Sequence, residues 1–456
     1  MTKVNLLSYY SLRTAVLESK KLTRRSYGEF MRIINGLLVS LVVSGVAMPA
    51  FAGYNPGFDG GVNVKLAIQA AIEAASSAGG LVPAVPGRSD LEQPVWVSVE
   101  KGDVAALDEA LFKSAPLAQN QRVAIYKFAP SELGRLADGM HRAMRRAPGF
   151  FAYDTLEAAL EDLKAPPEPQ ARAYSLDQGA RVQELLPLVK EGSIVSVITS
   201  LSSYKNRYYR GATGVDASKW LQQLWGRYAE GRPDISVAAF KHAAFQQESV
   251  ILTMRGAAEP EKVIVIGGHL DSIAGSGDNP APGADDNASG VAVTNEIIKV
   301  LIAGGYRPAK TIKFMAFAAE EAGLRGSGDV SVAFQKEGVK VEGMLNLDMT
   351  NYKGSEKDIY FVSDNTSADQ NAFLGKLIDT YLGYTWGSFK CGYGCSDHAS
   401  WSKKGYPAST PFESTYEQCN PYIHKAVDTL AQTGGRAEHS LKFARLGLAY
   451  AVELAK

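Results

Sequence analysis

Neither sign of charge is in excess along this chain. Its 48 Lys and Arg residues balance 48 Asp and Glu residues, for a formal net charge of +0. That removes any electrostatic reason to expect nucleic acid or an anionic membrane surface as a partner. Cysteine is scarce, with three in 456 residues. Cys391 and Cys395 sit in CGYGCSDH, and no second pair exists to complete a four-cysteine zinc clip. The body of the chain holds no apolar run long enough to span a bilayer, and no internal repeat or low-complexity tract. What is present is globular: 46% hydrophobic and 21% charged residues, enough for a sizeable core and more than one folding unit.

The N-terminus differs from the body. Met31-Arg32 leads into IINGLLVSLVVSGVAMPAFA, which ends on Ala50-Phe51-Ala52. A basic start, an apolar stretch and an A-x-A end describe a secretory signal peptide rather than a buried core helix. Residues 1–30 then form either a long basic leader or an extension ahead of a true start at Met31, and the second reading is preferred. Residues 1–52 are accordingly assigned to the signal region, with cleavage near Ala52 and export to the periplasm or the medium.

Residues 53–175 carry no metal-binding constellation. Strand-like VWVSVEKG and RVAIYKF alternate with helix-like SELGRLADGMHRAMRR and DTLEAALEDLK, which predicts a small α+β unit. It runs into Ala165-Pro166-Pro167-Glu168-Pro169-Gln170, an extended linker. In an exported chain this layout reads as a removable propeptide, with an accessory domain as the alternative. Export also suits Cys391 and Cys395 to a local disulfide, two buried free thiols being the alternative. Cys419 is then the odd thiol.

From residue 176 to 456 the pattern becomes regular. Helices are predicted at 181–201 and 216–230, followed by a hairpin of ISVAAFKH and SVILTMRG. KVIVIGG, apolar throughout, reads as a central strand. NASGVAVTNEIIKVLIAGG, LRGSGDVSVAFQKEG, NAFLGKLIDTYLG, SDHASWSKKG and the C-terminal HSLKFARLGLAYAVELA read as helices. TIKFMAFAA, GMLNLD and DIYFVSD read as strands. Such alternation implies an α/β fold, with a mixed, mostly parallel β-sheet sandwiched between helices.

Five segments within it offer metal ligands: GGHLDS (His269, Asp271), PGADDNASG (Asp285, Asp286), AFAAEEAG (Glu320, Glu321), NLDMT (Asp348) and NPYIHKAVDT (His424). His269, the Glu pair and Asp348 each follow an apolar strand-like run, so all three point to the carboxyl edge of the sheet. Imidazole and carboxylate are ligands that Zn²⁺ accepts at hydrolytic sites. Five such groups suit two metals sharing one carboxylate and a water, about 3.5–4 Å apart. Of adjacent Glu320 and Glu321, one can bind metal while the other serves as general base.

These segments, with AAEEAGLRGS, LDMTNYKGS and CGYGCSDHASW, resemble those of the secreted bacterial leucyl aminopeptidases with co-catalytic zinc. The likeness covers about residues 180–430 in order. It implies the zinc-exopeptidase fold and two Zn²⁺ per chain, with His269 and Asp348 on one ion, Glu321 and His424 on the other, and Asp285 bridging. It implies Glu320 as general base, and Asp271 as the group that fixes the His269 tautomer. A cis peptide is implied at Asp285-Asp286, and a Cys391–Cys395 disulfide around Tyr393, whose phenol would assist the developing oxyanion. Met349, Phe412 and Tyr416 match a pocket for the substrate's first side chain, whereas Thr410 and Cys419 stand where larger residues are expected. The resemblance further implies a monomer, without a stable membrane anchor, acting on peptides with a free N-terminus. His398 is expected to pack in a helix, and His141, His242 and His439 to take no catalytic part. Two other functions compete: a glutaminyl-peptide cyclase of the same fold, using one zinc, and a non-catalytic secreted binding module, which would be expected to lose ligands or the base.

Overall fold

The computed structural model describes residues 93–456, apart from 108–110, 113, 165–166, 168–170 and 276. The signal-type stretch and the start of the expected propeptide lie outside the described residues. All described residues belong to one compact unit.

The N-terminal part is a small antiparallel sheet of β1 (Val95–Glu100), β2 (Ala118–Gln119), β3 (Val123–Phe128) and β4 (Phe151–Tyr153), in the order β2-β3-β1-β4. Val95, Val97 and Val99 alternate along β1 and are buried, as a strand with one core face requires. They meet the helix Leu133–Met144, whose Leu133, Leu136, Ala137 and Met140 recur at helical spacing and are also buried. This core is not self-contained. Tyr209, Ala319 and Ala322, from far along the chain, close it.

The larger part is built on β5 (Ile235–Phe240), β6 (Ser249–Met254), β7 (Glu259–His269), β8 (Lys310–Phe317), β9 (Lys340–Asn346), β10 (Ile359–Val362), β11 (Trp386–Phe389), β12 (Ala408–Ser409) and β13 (Pro411–Phe412). Six of these form one sheet in the order β12-β9-β7-β8-β6-β5. β12, β9, β7 and β8 are mutually parallel, while β6 runs antiparallel to both β8 and β5. Side-chain alternation divides the centre between two cores. Ile264, Ile266, Ile312 and Phe314 face the helices Glu191–Ser202, Ala288–Ala303 and Glu438–Leu454. Val263, Val265, Met315 and Phe317 face the helices Arg325–Lys336 and His398–Ser402.

Two expectations change. The helix predicted over 181–201 is broken into Gly179–Leu185, a 3₁₀ turn at Leu186–Leu188 and Glu191–Ser202. Pro187, lacking an N–H and clashing with the preceding turn, accounts for the break. DIYFVSD does form a strand, but β10 pairs with β11 and β13 in a separate three-stranded sheet. Among the described residues no single helix is long and apolar enough to cross a membrane.

Candidate metal centre

β9, β7 and β8 are parallel neighbours, so their carboxyl ends open on one edge of the sheet. His269 is the last residue of β7, Asp348 follows β9 by two residues, and Glu320-Glu321 follow β8 across Ala318-Ala319. The strands can approach closely because of glycine. A Cβ on Gly268 would come within 2.0 Å of the Leu347 carbonyl oxygen, and one on Gly290 within 2.1 Å of the same atom. Ala319, Leu324, Met349 and His424 have φ of 54–56°, a left-handed conformation costly for residues with a Cβ. Four such positions around one cleft mark a site whose geometry the surrounding fold over-determines.

The side chains form two linked groups. His269 Nε2 lies 3.2 Å from Asp348 Oδ1 and 3.1 Å from Asp286 Oδ1. His424 Nε2 lies 2.8 Å from Glu321 Oε2 and 3.3 Å from Asp286 Oδ2. One carboxylate thus presents one oxygen to each histidine, and it belongs to Asp286. The expectation that Asp285 occupies this place is corrected. Asp285 turns away, accepting from the Asn351 amide at 2.9 Å and from Asn420 Nδ2 at 2.9 Å. Buried Glu413 adjoins it and also accepts from the Asn420 amide. The cis peptide likewise lies one residue later, at Asp286-Asn287. Asp428, which carried no sequence assignment, accepts from the amides of both Asp285 and Asp286 at 3.1 Å and so presents the Asp286 side chain to the histidines.

Asp271 takes a larger part than expected. Its carboxylate accepts from the amides of Glu320 (2.9 Å) and Glu321 (3.2 Å), so it shapes the turn that carries both glutamates. The contact to His269 Nδ1 is made chiefly by the Asp271 main-chain carbonyl at 3.1 Å, with its carboxylate at 3.5 Å. This leaves Nε2 of His269 facing the carboxylates.

Electrostatics say what the cluster lacks. Asp286, Glu320, Glu321 and Asp348 are all buried together. Burial, reinforced by Asp286, pushes the Glu321 carboxyl up to about 7 against the opposing pull of His424. Burial raises Glu320 well above the carboxylate range, with Glu321, Asp397 and Asp348 adding to it. His424 is lifted to about 10, since Glu321 and Asp286 outweigh the burial that would lower it. His269 rises in the same way through Asp348 and Glu320. Buried carboxylates that hold protons in place on imidazoles form a site that favours positive charge. Neither oxygen of Glu321 nor either ring nitrogen of His424 makes a directed hydrogen bond, despite the 2.8 Å approach. Donor atoms of His269, Asp286 and Glu321 lie within 4.8 Å of one another, which fits a metal ion. Borderline nitrogen and hard oxygen donors in this mixture suit zinc.

Beside the cluster lies an apolar pocket lined by Met349, Val362, Phe412, Tyr416, Cys419 and Ile423. Thr410 and Tyr393 also border it, and Met349, Phe412 and Tyr416 are brought together in it. Cys391 and Cys395 are paired, and Cys419 is free and buried. His398 lies buried within the helix His398–Ser402. Asp397, which carried no assignment, is buried close by and raised to about 7 by burial against the pull of His269.

The N-terminal part enters this pocket. The Tyr393 hydroxyl accepts from the Ala147 amide at 3.0 Å, and the Tyr416 hydroxyl donates to the Met144 carbonyl at 3.1 Å. Arg145 donates to the Glu417 carbonyl, and the Arg146 guanidinium lies over the Tyr393 ring. His141, expected to have no part here, lies against His424 with ring centroids 4.6 Å apart and planes tilted by 34°. Burial and the neighbouring His424 hold its pKa down at about 3. Arg145 and Ala147 of this part border the pocket directly.

The model of peptidase family M28 matches residues 249–446. Leucine aminopeptidase 1 of Arthroderma gypseum is 30% identical, over 77% of this chain and 97% of its own length. Its namesake from Arthroderma otae is 33% identical over 62% and 79% respectively. The crystal structure of the LapA aminopeptidase of Legionella pneumophila superposes with a TM-score of 0.71 at 28% identity, covering 79% of this chain and 98% of that one. The fold, the convergent histidines and carboxylates and these similarities place the chain in peptidase family M28, as a metalloaminopeptidase.

Proposed function

We propose that this chain is the exported precursor of a di-zinc aminopeptidase that releases large apolar, leucine-type residues from peptides with a free N-terminus. The observation that carries the reading is the single Asp286 carboxylate standing between two histidine–carboxylate groups. In this reading His269 and Asp348 would hold one ion and Glu321 and His424 the other, with the Asp286 carboxylate available to both. Zinc, when bound, would polarise the scissile carbonyl and acidify a water molecule. Glu320, buried beside the cluster with its pKa raised by burial, would serve as the general base and would return the proton to the leaving amine. The Tyr393 hydroxyl faces the developing oxyanion, and the substrate's first side chain enters the pocket of Met349, Phe412 and Tyr416. Thr410 and Cys419 enlarge that pocket relative to the expected pattern.

The N-terminal part acts as a propeptide in the same reading. Residues 141–147 use up the two phenol groups of the pocket and cover His424, so a substrate cannot enter until they leave. The processed enzyme acts as a monomer outside the cytoplasm.

Hydrolysis of leucine p-nitroanilide, beside an N-acetylated analogue, tests the function. Activity should vanish with chelator, return with zinc and ignore the blocked substrate. Glu320→Ala should abolish turnover with metal content near that of the parent. No hydrolysis by a protein holding one zinc, with closure of an N-terminal glutamine instead, would establish the cyclase. The uncleaved precursor should be the slower form, and equal rates before and after cleavage would refute the propeptide assignment.

A further inference from the structure

We infer that Asp329, His242 and Ser249 form a clamp that positions the general base Glu320. The inference rests on the aminopeptidase reading above. His242 Nδ1 lies 2.7 Å from Asp329 Oδ2, and His242 Nε2 lies 2.8 Å from Ser249 Oγ. The set has the composition of a hydrolytic serine triad, but Ser249 is 0% exposed, so no substrate reaches it. Its oxygen instead accepts from the Ala318 amide at 2.9 Å.

The direction of the chain is set at its other end. A carboxylate accepts, so His242 Nδ1–H donates to Asp329; in the neutral imidazole Nε2 then accepts from the Ser249 hydroxyl, whose oxygen also takes the Ala318 amide proton. The imidazole is held in its plane by Phe245, stacked at 4.5 Å and 17°. The two ends of this chain flank one turn. Ala318 is the residue after β8, and Asp329 lies on the helix that starts at Arg325. Between them run Ala319, in a left-handed conformation, and Glu320-Glu321. The clamp therefore fixes both ends of the turn from one side, while Asp271 holds the Glu320 and Glu321 amides from the other. With these amides held, the backbone that carries the Glu320 carboxylate is held in place. His242 and Ser249 touch neither substrate nor metal ligand, so they are positioning residues.

The test uses the processed, metal-loaded enzyme with the variants Ser249→Ala, Ser249→Thr and Asp329→Asn. A general base displaced by a fraction of an ångström loses rate more than binding. Ser249→Ala should lower kcat about tenfold or more, with KM within about twofold of the parent and metal content unchanged. Ser249→Thr, which keeps the hydroxyl, should recover most of that kcat. Asp329→Asn, at a partly exposed position that does not threaten folding, should show a smaller loss of kcat with the same KM. Parental kcat in both Ser249→Ala and Asp329→Asn would overturn the inference. So would losses that track only the unfolded or metal-free fraction. A parent protein without chelator-sensitive hydrolysis would instead refute the aminopeptidase reading, and the clamp with it.

Discussion

At the scale of single residues, the site turns on which of two adjacent aspartates faces the histidines. Backbone hydrogen bonds decide it. Asp428 holds both amides of the pair, and Asp285 is occupied by Asn351, Asn420 and neighbouring Glu413, which leaves Asp286 to point into the cluster. Opposite outcomes are therefore expected for the two conservative variants. Asp286→Asn should lose much of its bound metal and fall in activity beyond the roughly 10–100-fold typical of outer partners. Asp285→Asn should retain metal and lose about 1–3 kcal/mol of stability, because a buried acceptor pattern is disturbed. Metal analysis and thermal melting of the two proteins side by side would check this. Equal metal loss in both would show that the pair acts as one ligand.

At the scale of elements, the active edge depends on how closely β7, β9 and the helix Ala288–Ala303 approach. Gly268 and Gly290 both abut the Leu347 carbonyl, one residue before Asp348. A methyl group at Gly290 has no free space, so the helix must shift, carrying Asp286 with it. Gly290→Ala should cost about 1–3 kcal/mol, as overpacking does. It should also lower kcat more than a surface substitution of equal thermal effect. Melting temperature and kcat, measured on the same preparation, separate the two contributions. The turn between β8 and the helix Arg325–Lys336 obeys the same logic, since it is held at both ends and carries both glutamates.

At the scale of the whole molecule, burying so many carboxyl groups ties stability to metal and pH. Burial lifts Asp428 to about 8, and Asp397 and Glu321 to about 7. Each lies above its unfolded value. Without metal, the stability these groups contribute is complete below about pH 4 and is lost as pH rises through 7–8. Metal binding would meanwhile strengthen with pH, because His269, His424 and Glu321 must release protons to solvent before they can hold an ion. The difference in melting temperature between zinc-loaded and chelated protein should therefore widen steadily from pH 5 to pH 8. A difference independent of pH would show that these carboxyls and imidazoles do not bind the ion.

The chain by itself already carried the fold class, the central strand KVIVIGG, the edge on which the ligands gather, and the residues His269, Glu320, Glu321, Asp348 and His424. All but His424, which sits in a late loop and is read from its NPYIHKAVDT segment, follow from local periodicity and from the rule that parallel strands deliver their carboxyl ends together. Other features were decided only in three dimensions. The choice of Asp286 over Asp285 depends on Asp428, 142 residues away from Asp286 in sequence, whose acceptance from both amides no local pattern encodes. β10 left the main sheet because strand pairing is non-local. His141 gave no signal at all, since its place over His424 arises from packing one part of the chain into the mouth of another. The His242 clamp is of the same kind: three ordinary residues became a unit only when a hairpin connection, a strand and a helix met around one turn.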